Sequence, residues 1–97
     1  MNTPAVADRC SNGDIAAQLD TVADLLVARG APARRCNVYR RGAGSLRKLA
    51  RPVSDILHTE GLAGLIRLQG IGEKLARAVR RAATTGHLPI LERLQTR

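Results

Sequence analysis

Aromatic side chains are almost missing from this sequence: Tyr39 stands alone among 97 residues, with no Phe and no Trp. The interior must therefore be built from Leu, Val, Ile and Ala. Many small aliphatics at short spacing favour close-packed helices over a sheet, where β-branched and aromatic residues are enriched. The same lack removes the ring platforms on which proteins stack single-stranded bases, and it argues against sequence-specific readout. Acidic residues are scarce too, eight against sixteen basic ones. They are scattered, with no close carboxylate pair of the kind that holds two metal ions in a nuclease. Cysteine is limited to Cys10 and Cys36, without metal-ligand spacing. Free thiols in a reducing compartment are the expected state, with a bridge between the two as the alternative. Residues 1–11 lack a basic start followed by an apolar run, and no stretch reaches bilayer-spanning length. The expected setting is the cytoplasm, associated with the nucleoid, and no membrane partner is expected.

What the chain has in excess is arginine. Only Lys48 and Lys74 are lysines, and the other basic residues are all Arg, for a formal net charge of +8. A guanidinium offers a planar fork of donors that fits a phosphate in bidentate fashion, and a polyanion is the natural partner for such a surface. A GC-rich genome would also inflate Arg at the expense of Lys, but it does not account for the net charge. The charge is also uneven. Residues 1–33 are slightly acidic through Asp8, Asp14, Asp20 and Asp24. Residues 34–51 hold Arg34, Arg35, Arg40, Arg41, Arg47, Lys48 and Arg51 with no acid, and residues 67–81 add Arg67, Lys74, Arg77, Arg80 and Arg81 against Glu73 alone. Two basic blocks beside an acidic first segment imply a polar molecule with one binding face.

Periodicity gives the layout. After a lead-in over residues 1–11, a single domain is expected over 12–97. Its first helix starts near Asn12 to Asp14, which offer capping side chains, and lines one face with Ile15, Leu19, Val22 and Leu26. Gly30 and Pro32 end it. A second helix is expected over 33–50, with Tyr39, Ala43, Leu46 and Ala50 inward and Gly42 and Gly44 weakening its middle. Pro52 opens a short third helix, 60–68 reads as a fourth, and helices carrying Leu75, Ala76 and Val79 and then Leu88, Leu91 and Leu94 close the chain. The fold expected is all-α, a compact bundle of four to six short helices, monomeric, with one helix-hairpin-helix motif.

That motif is Leu68-Gln69-Gly70-Ile71-Gly72. Gly70 and Gly72 permit backbone angles closed to other residues and leave no side chain between backbone and ligand. Ile71 between them is expected to plug into the core. The amides opening the next helix, aided by its dipole, can hold one phosphate, with Lys74 and Arg77 flanking it. The plainer alternative is a tight turn without a ligand. Arg34, Arg40, Arg80 and Arg81 complete the expected phosphate-binding set, nucleic acid being the commonest polyanion. From the residues alone Tyr39 reads as a core position, as single tyrosines on amphipathic helices usually are. His58 and His87 are far apart and read as ordinary surface residues. No metal centre is expected; the hairpin could take at most a monovalent Na+ or K+ on the backbone carbonyls of Leu68 and Ile71.

From 12 to 94 the sequence resembles the amino-terminal domain of family X DNA polymerases, the DNA polymerase beta-like group. The resemblance rests on Ile15-Ala16-x-x-Leu19 with Ala23-Asp24-Leu25-Leu26, Asn37-Val38-Tyr39-Arg40-Arg41, Glu60-Gly61-Leu62, the hairpin, and Thr85-Gly86-His87-Leu88-Pro89 through Leu94. It implies a domain that binds the 5′-phosphate side of gapped or nicked DNA in repair, alongside a repair-protein partner. Such domains often also remove a 5′-deoxyribose phosphate through a lysine Schiff base. Position by position, the phosphate-binding residues fall on Arg35, Tyr39 and Lys74, whereas the nucleophilic lysine falls on Ala78 and the acid before it on Arg77. Gln69 stands where a proline is usual. A Schiff base needs a primary amine, so the reading is a DNA-binding module without the lyase nucleophile. A lyase using Lys74, and a protein-interaction module with a basic face, are its rivals. A polymerase would need far more chain.

Overall fold

The computed structural model describes residues 11–95, which form five α-helices and no strand. Helix α1 (Asn12–Ala28) is opened by Ser11, whose hydroxyl accepts the Asp14 amide while the Asp14 carboxylate accepts the Ser11 amide. This reciprocal capping box places the start signal one residue earlier than Asn12 and takes Ser11 out of the expected lead-in. The Asn12 side chain has another task. Its Nδ2 donates to the Arg51 carbonyl and its Oδ1 accepts the Val53 amide, both at 2.8 Å, so it ties α1 to the turn before α3. Gln18 does the same at the far end, donating to the Gly86 carbonyl at 2.9 Å and accepting the Leu88 amide at 3.0 Å.

Helix α1 ends in a Schellman arrangement, with Ala31 N–H on the Leu26 carbonyl and Gly30 N–H on that of Val27. Helix α2 (Ala33–Arg47) then packs antiparallel along it. It stops three residues short of the expected 50, and Ala50 is exposed. Gly42, read above as a weak point, is a close approach: a Cβ there would run into Leu75 Cδ2.

Helix α3 (Val53–Ile66) joins the two short helices expected over this stretch, with the break between them at Gly61 (φ 71°, ψ −166°), a backbone region that is essentially glycine's alone. The bend folds the first half onto the second so closely that a Cβ on Gly64 would fall 2.7 Å from Glu60 Cβ and 2.8 Å from Ile56 Cγ2. Helix α4 (Glu73–Thr85) packs on α3, and the short α5 (Pro89–Gln95) rests on α1 and α4. The core gathers Ile15, Leu19, Val22 and Leu26 with Leu46, Val53, Ile56, Leu65, Val79 and Leu88, aliphatic throughout. Cys36 is buried in it; Cys10 lies outside the described residues. Among the described residues no helix is long and apolar enough to cross a membrane.

Candidate nucleic-acid interface

The hairpin is built by three short-range constraints. The Leu68 amide bonds back to Leu65, and the Ile71 amide to the Leu68 carbonyl at 3.2 Å. Gly70 sits at φ +87°, and Ile71 beside it is only 4% exposed, plugged into the core as its position between the glycines suggests. The Ser45 hydroxyl of α2 donates to the Gln69 carbonyl, which fastens the turn to α2.

The two glycines turn out to differ. A Cβ on Gly70 would fall 2.6 Å from Ser45 Oγ and 3.5 Å from the Arg41 carbonyl, so the missing side chain there admits α2 rather than a ligand. Gly72 has extended angles open to any residue (φ −92°, ψ −177°), and a Cβ on it would meet nothing within 4 Å. The expectation that both need glycine's backbone freedom therefore holds for Gly70 alone. Gly72 is the N-cap of α4 and no side chain caps it. The Ala76 amide bonds to the Gly72 carbonyl at 2.8 Å, and the amides before it have no intrahelical acceptor. They form a patch of partial positive charge at a helix start whose residues Gly72, Glu73 and Lys74 are exposed.

Beside this terminus, Arg35, Val38 and Tyr39 of α2 and Lys74, Leu75 and Ala78 of α4 line one concavity of about 390 Å³. Arg35, Tyr39, Lys74 and Ala78, scattered over forty-odd positions of sequence, thus share one wall-to-wall site. Tyr39 is half-buried: it packs on the core and also lines the concavity, so its two readings do not exclude each other. Lys74, Ala78 and Arg81 follow one another at helical spacing along α4, with Arg77 and Arg80 on the neighbouring row. Arg77 is engaged by Glu73 at 2.6 Å.

Ion pairs sort the basic block of α2 in a way the sequence does not reveal. Arg40 pairs with Asp24 at 2.9 Å and Arg47 with Asp20 at 2.8 Å, both acids supplied by α1. Arg51 reaches Asp55 at 3.0 Å and Glu60 at 2.9 Å, and Arg67 adds a second contact to Glu60 at 3.1 Å. These hydrogen bonds, that from Arg51 first and then that from Arg67, hold the Glu60 carboxyl below its ordinary range. Arg40, expected on a phosphate, is therefore turned toward α1. Arg34, Arg35, Arg41 and Lys48 have no carboxylate at ion-pair distance among the described residues. Arg41 and Lys48, absent from the expected set, line a second and larger concavity of about 640 Å³ against Gln69 and Gly70 of the hairpin. Their spacing of seven residues, one behind the other on α2, was the available signal.

His58 and His87 are both exposed. No curated protein matches the sequence. A family model described as a helix-hairpin-helix domain matches residues 10–88, most of the chain and all of the two helices that flank the turn. With the glycine hairpin, its plugged Ile71 and the uncapped helix that follows, this match shows that the chain belongs to the helix-hairpin-helix domain family, whose members generally bind DNA without reading its sequence.

Proposed function

We propose that this protein grips the phosphorylated 5′ end of a DNA strand at a gap or nick, in DNA repair, as a non-catalytic relative of the family X polymerase lyase domain. The observation that carries the reading is the concavity in which Arg35, Tyr39 and Lys74 surround Ala78 beside the uncapped start of α4. A terminal phosphate there would accept from backbone amides and from two cations at once, the strong kind of hydrogen bond. Ala78 carries no amine, so the position that would form a Schiff base is chemically silent. The reading includes a monovalent Na+ or K+ on the Leu68 and Ile71 carbonyls. Leu68 accepts one amide and keeps a second lone pair for such an ion.

The test is a binding panel of duplex, nicked, gapped and single-stranded DNA with and without a 5′-phosphate. Gapped DNA bearing the phosphate is expected to bind about tenfold tighter than its dephosphorylated twin, the value of one charged hydrogen bond. Equal affinity across the panel would leave only general backbone binding. Borohydride treatment with a 5′-deoxyribose-phosphate substrate decides the enzymatic rival. No covalent adduct is expected, and an adduct that disappears in Lys74→Ala would replace this reading with a lyase using Lys74.

A further inference from the structure

We propose that the groove between the second half of α2 and the hairpin is a second phosphate-binding surface, contacting the DNA backbone well away from the strand end through Arg41 and Lys48. It rests on the DNA-binding reading but not on the 5′-phosphate pocket.

Charge supports it first. Arg34, Arg41 and Lys48 recur every seven residues, which keeps them on one side of α2 with a drift of about 20° per step. Their immediate neighbours Arg40 and Arg47 lie on the other flank and are neutralised by Asp24 and Asp20. The acids of α1 thus cancel one side of α2 and leave the other bare. Shape supports it next. The groove is the larger of the two concavities that α2 makes with the hairpin and α4, and no carboxylate lines it. Half-buried Leu49 and Leu68 give it an apolar floor on which a deoxyribose can lie between its phosphates.

Scale decides what could occupy both grooves. Thirteen residues of helix separate Arg35 from Lys48, about 20 Å at 1.5 Å per residue. Successive phosphates of a duplex strand rise about 3.4 Å, so Lys48, at the far end of the second groove, stands roughly six base pairs from Arg35. A DNA seated at the first groove spans the second as far as Lys48 only if its duplex continues at least that far.

The experiment compares 5′-phosphorylated gapped DNA carrying a downstream duplex of about 4 or about 12 base pairs, by fluorescence anisotropy. The parent protein is expected to bind the long form tighter. Arg41→Ala/Lys48→Ala, at exposed positions, is expected to lose that gain while keeping its preference for a 5′-phosphate. Its slope of log affinity against log salt on the long form should shrink by about 2. A control that removes the same charge elsewhere, Arg47→Ala/Arg93→Ala, is expected to keep the gain from length. The inference falls if the double variant binds the long form like the parent, or if the control loses as much. It also falls if poly-glutamate binds the parent as tightly as DNA and only the double variant loses it, which would assign the groove to an acidic protein. A parent without 5′-phosphate preference whose length gain still depends on Arg41 and Lys48 would sink the pocket reading and leave this one standing.

Discussion

A methyl group added at Gly72 would meet nothing within 4 Å, whereas one at Gly70 would fall 2.6 Å from Ser45 Oγ on a residue already at φ +87°. This contrast separates folding from binding within three residues. Gly72→Val should fold, losing about 1 kcal/mol from a poorer N-cap. Its DNA affinity should drop about tenfold or more, because the side chain stands where a phosphate would approach the α4 amides. Gly70→Val should instead lose the fold. Thermal melting and anisotropy on each variant make the check, and a folded Gly72→Val that binds like the parent reduces the hairpin to a plain turn. Ala78 offers the reverse experiment. Ala78→Lys adds an amine to a concavity already holding Arg35 and Lys74. Their like charge lowers the new lysine's pKa and favours the nucleophilic form. On a 5′-deoxyribose-phosphate substrate the variant should give a borohydride-trapped adduct that the parent does not. Lys74→Ala should weaken binding by about 1 kcal/mol or more.

At the scale of the element, the bend in α3 concentrates several constraints. Gly61 supplies the backbone angles, Gly64 lets the two halves touch, and Arg51 and Arg67 converge on Glu60 between them. Gly61→Ala should cost about 1–3 kcal/mol from backbone strain, and Gly64→Ala a similar amount from overpacking against Ile56 and Glu60. Both are read by denaturant unfolding. The Glu60 carboxyl titrates below its ordinary value of 4.5, for the hydrogen bonds from Arg51 and then Arg67 favour its charged form. Its contribution is therefore fully present above pH 4.5 and is lost as pH falls through the lowered folded-state pKa. Acid melting curves should show a fall in Tm below about pH 4.5 that is shallower in Glu60→Gln. Equal slopes would show that the carboxylate contributes nothing to the bend.

For the molecule as a whole, the pairing of α1 acids with α2 cations sets the direction of the field. Arg40 and Arg47 are cancelled, while Arg34, Arg35, Arg41, Lys48 and Lys74 remain on the side that also carries the hairpin. If about four to six phosphates are neutralised, log affinity should fall against log salt with a slope of roughly −4 to −5. A slope near zero would place DNA on some other surface. The exposed ion pairs themselves add little stability, about 0–1 kcal/mol each. The amide staples count for more: Asn12→Ala or Gln18→Ala leaves part-buried backbone groups without partners, a loss of about 1–3 kcal/mol.

The sequence by itself determined the all-helical layout, the inward faces of α1 and α4 and the plugged hairpin, but not where α2 ends or that one bent helix spans Val53–Ile66. Apolar spacing, Pro and Gly act within one or two turns of chain, so the inward faces of α1 and α4 and the plug at Ile71 could be read directly. Tertiary structure alone decided which cations stay free, why Gly42 and Gly64 are glycines, and what Asn12 and Gln18 do. Those answers depend on partners far away in the chain: Asp20 lies 27 residues from Arg47, Asn12 lies 39 from Arg51, and Gln18 lies 68 from Gly86. A carboxylate offsets a guanidinium most strongly at contact, because water and salt weaken the attraction with distance. Whether Arg40 or Arg41 is paired with a carboxylate was therefore settled by the packing of α1 on α2, which no local pattern encodes.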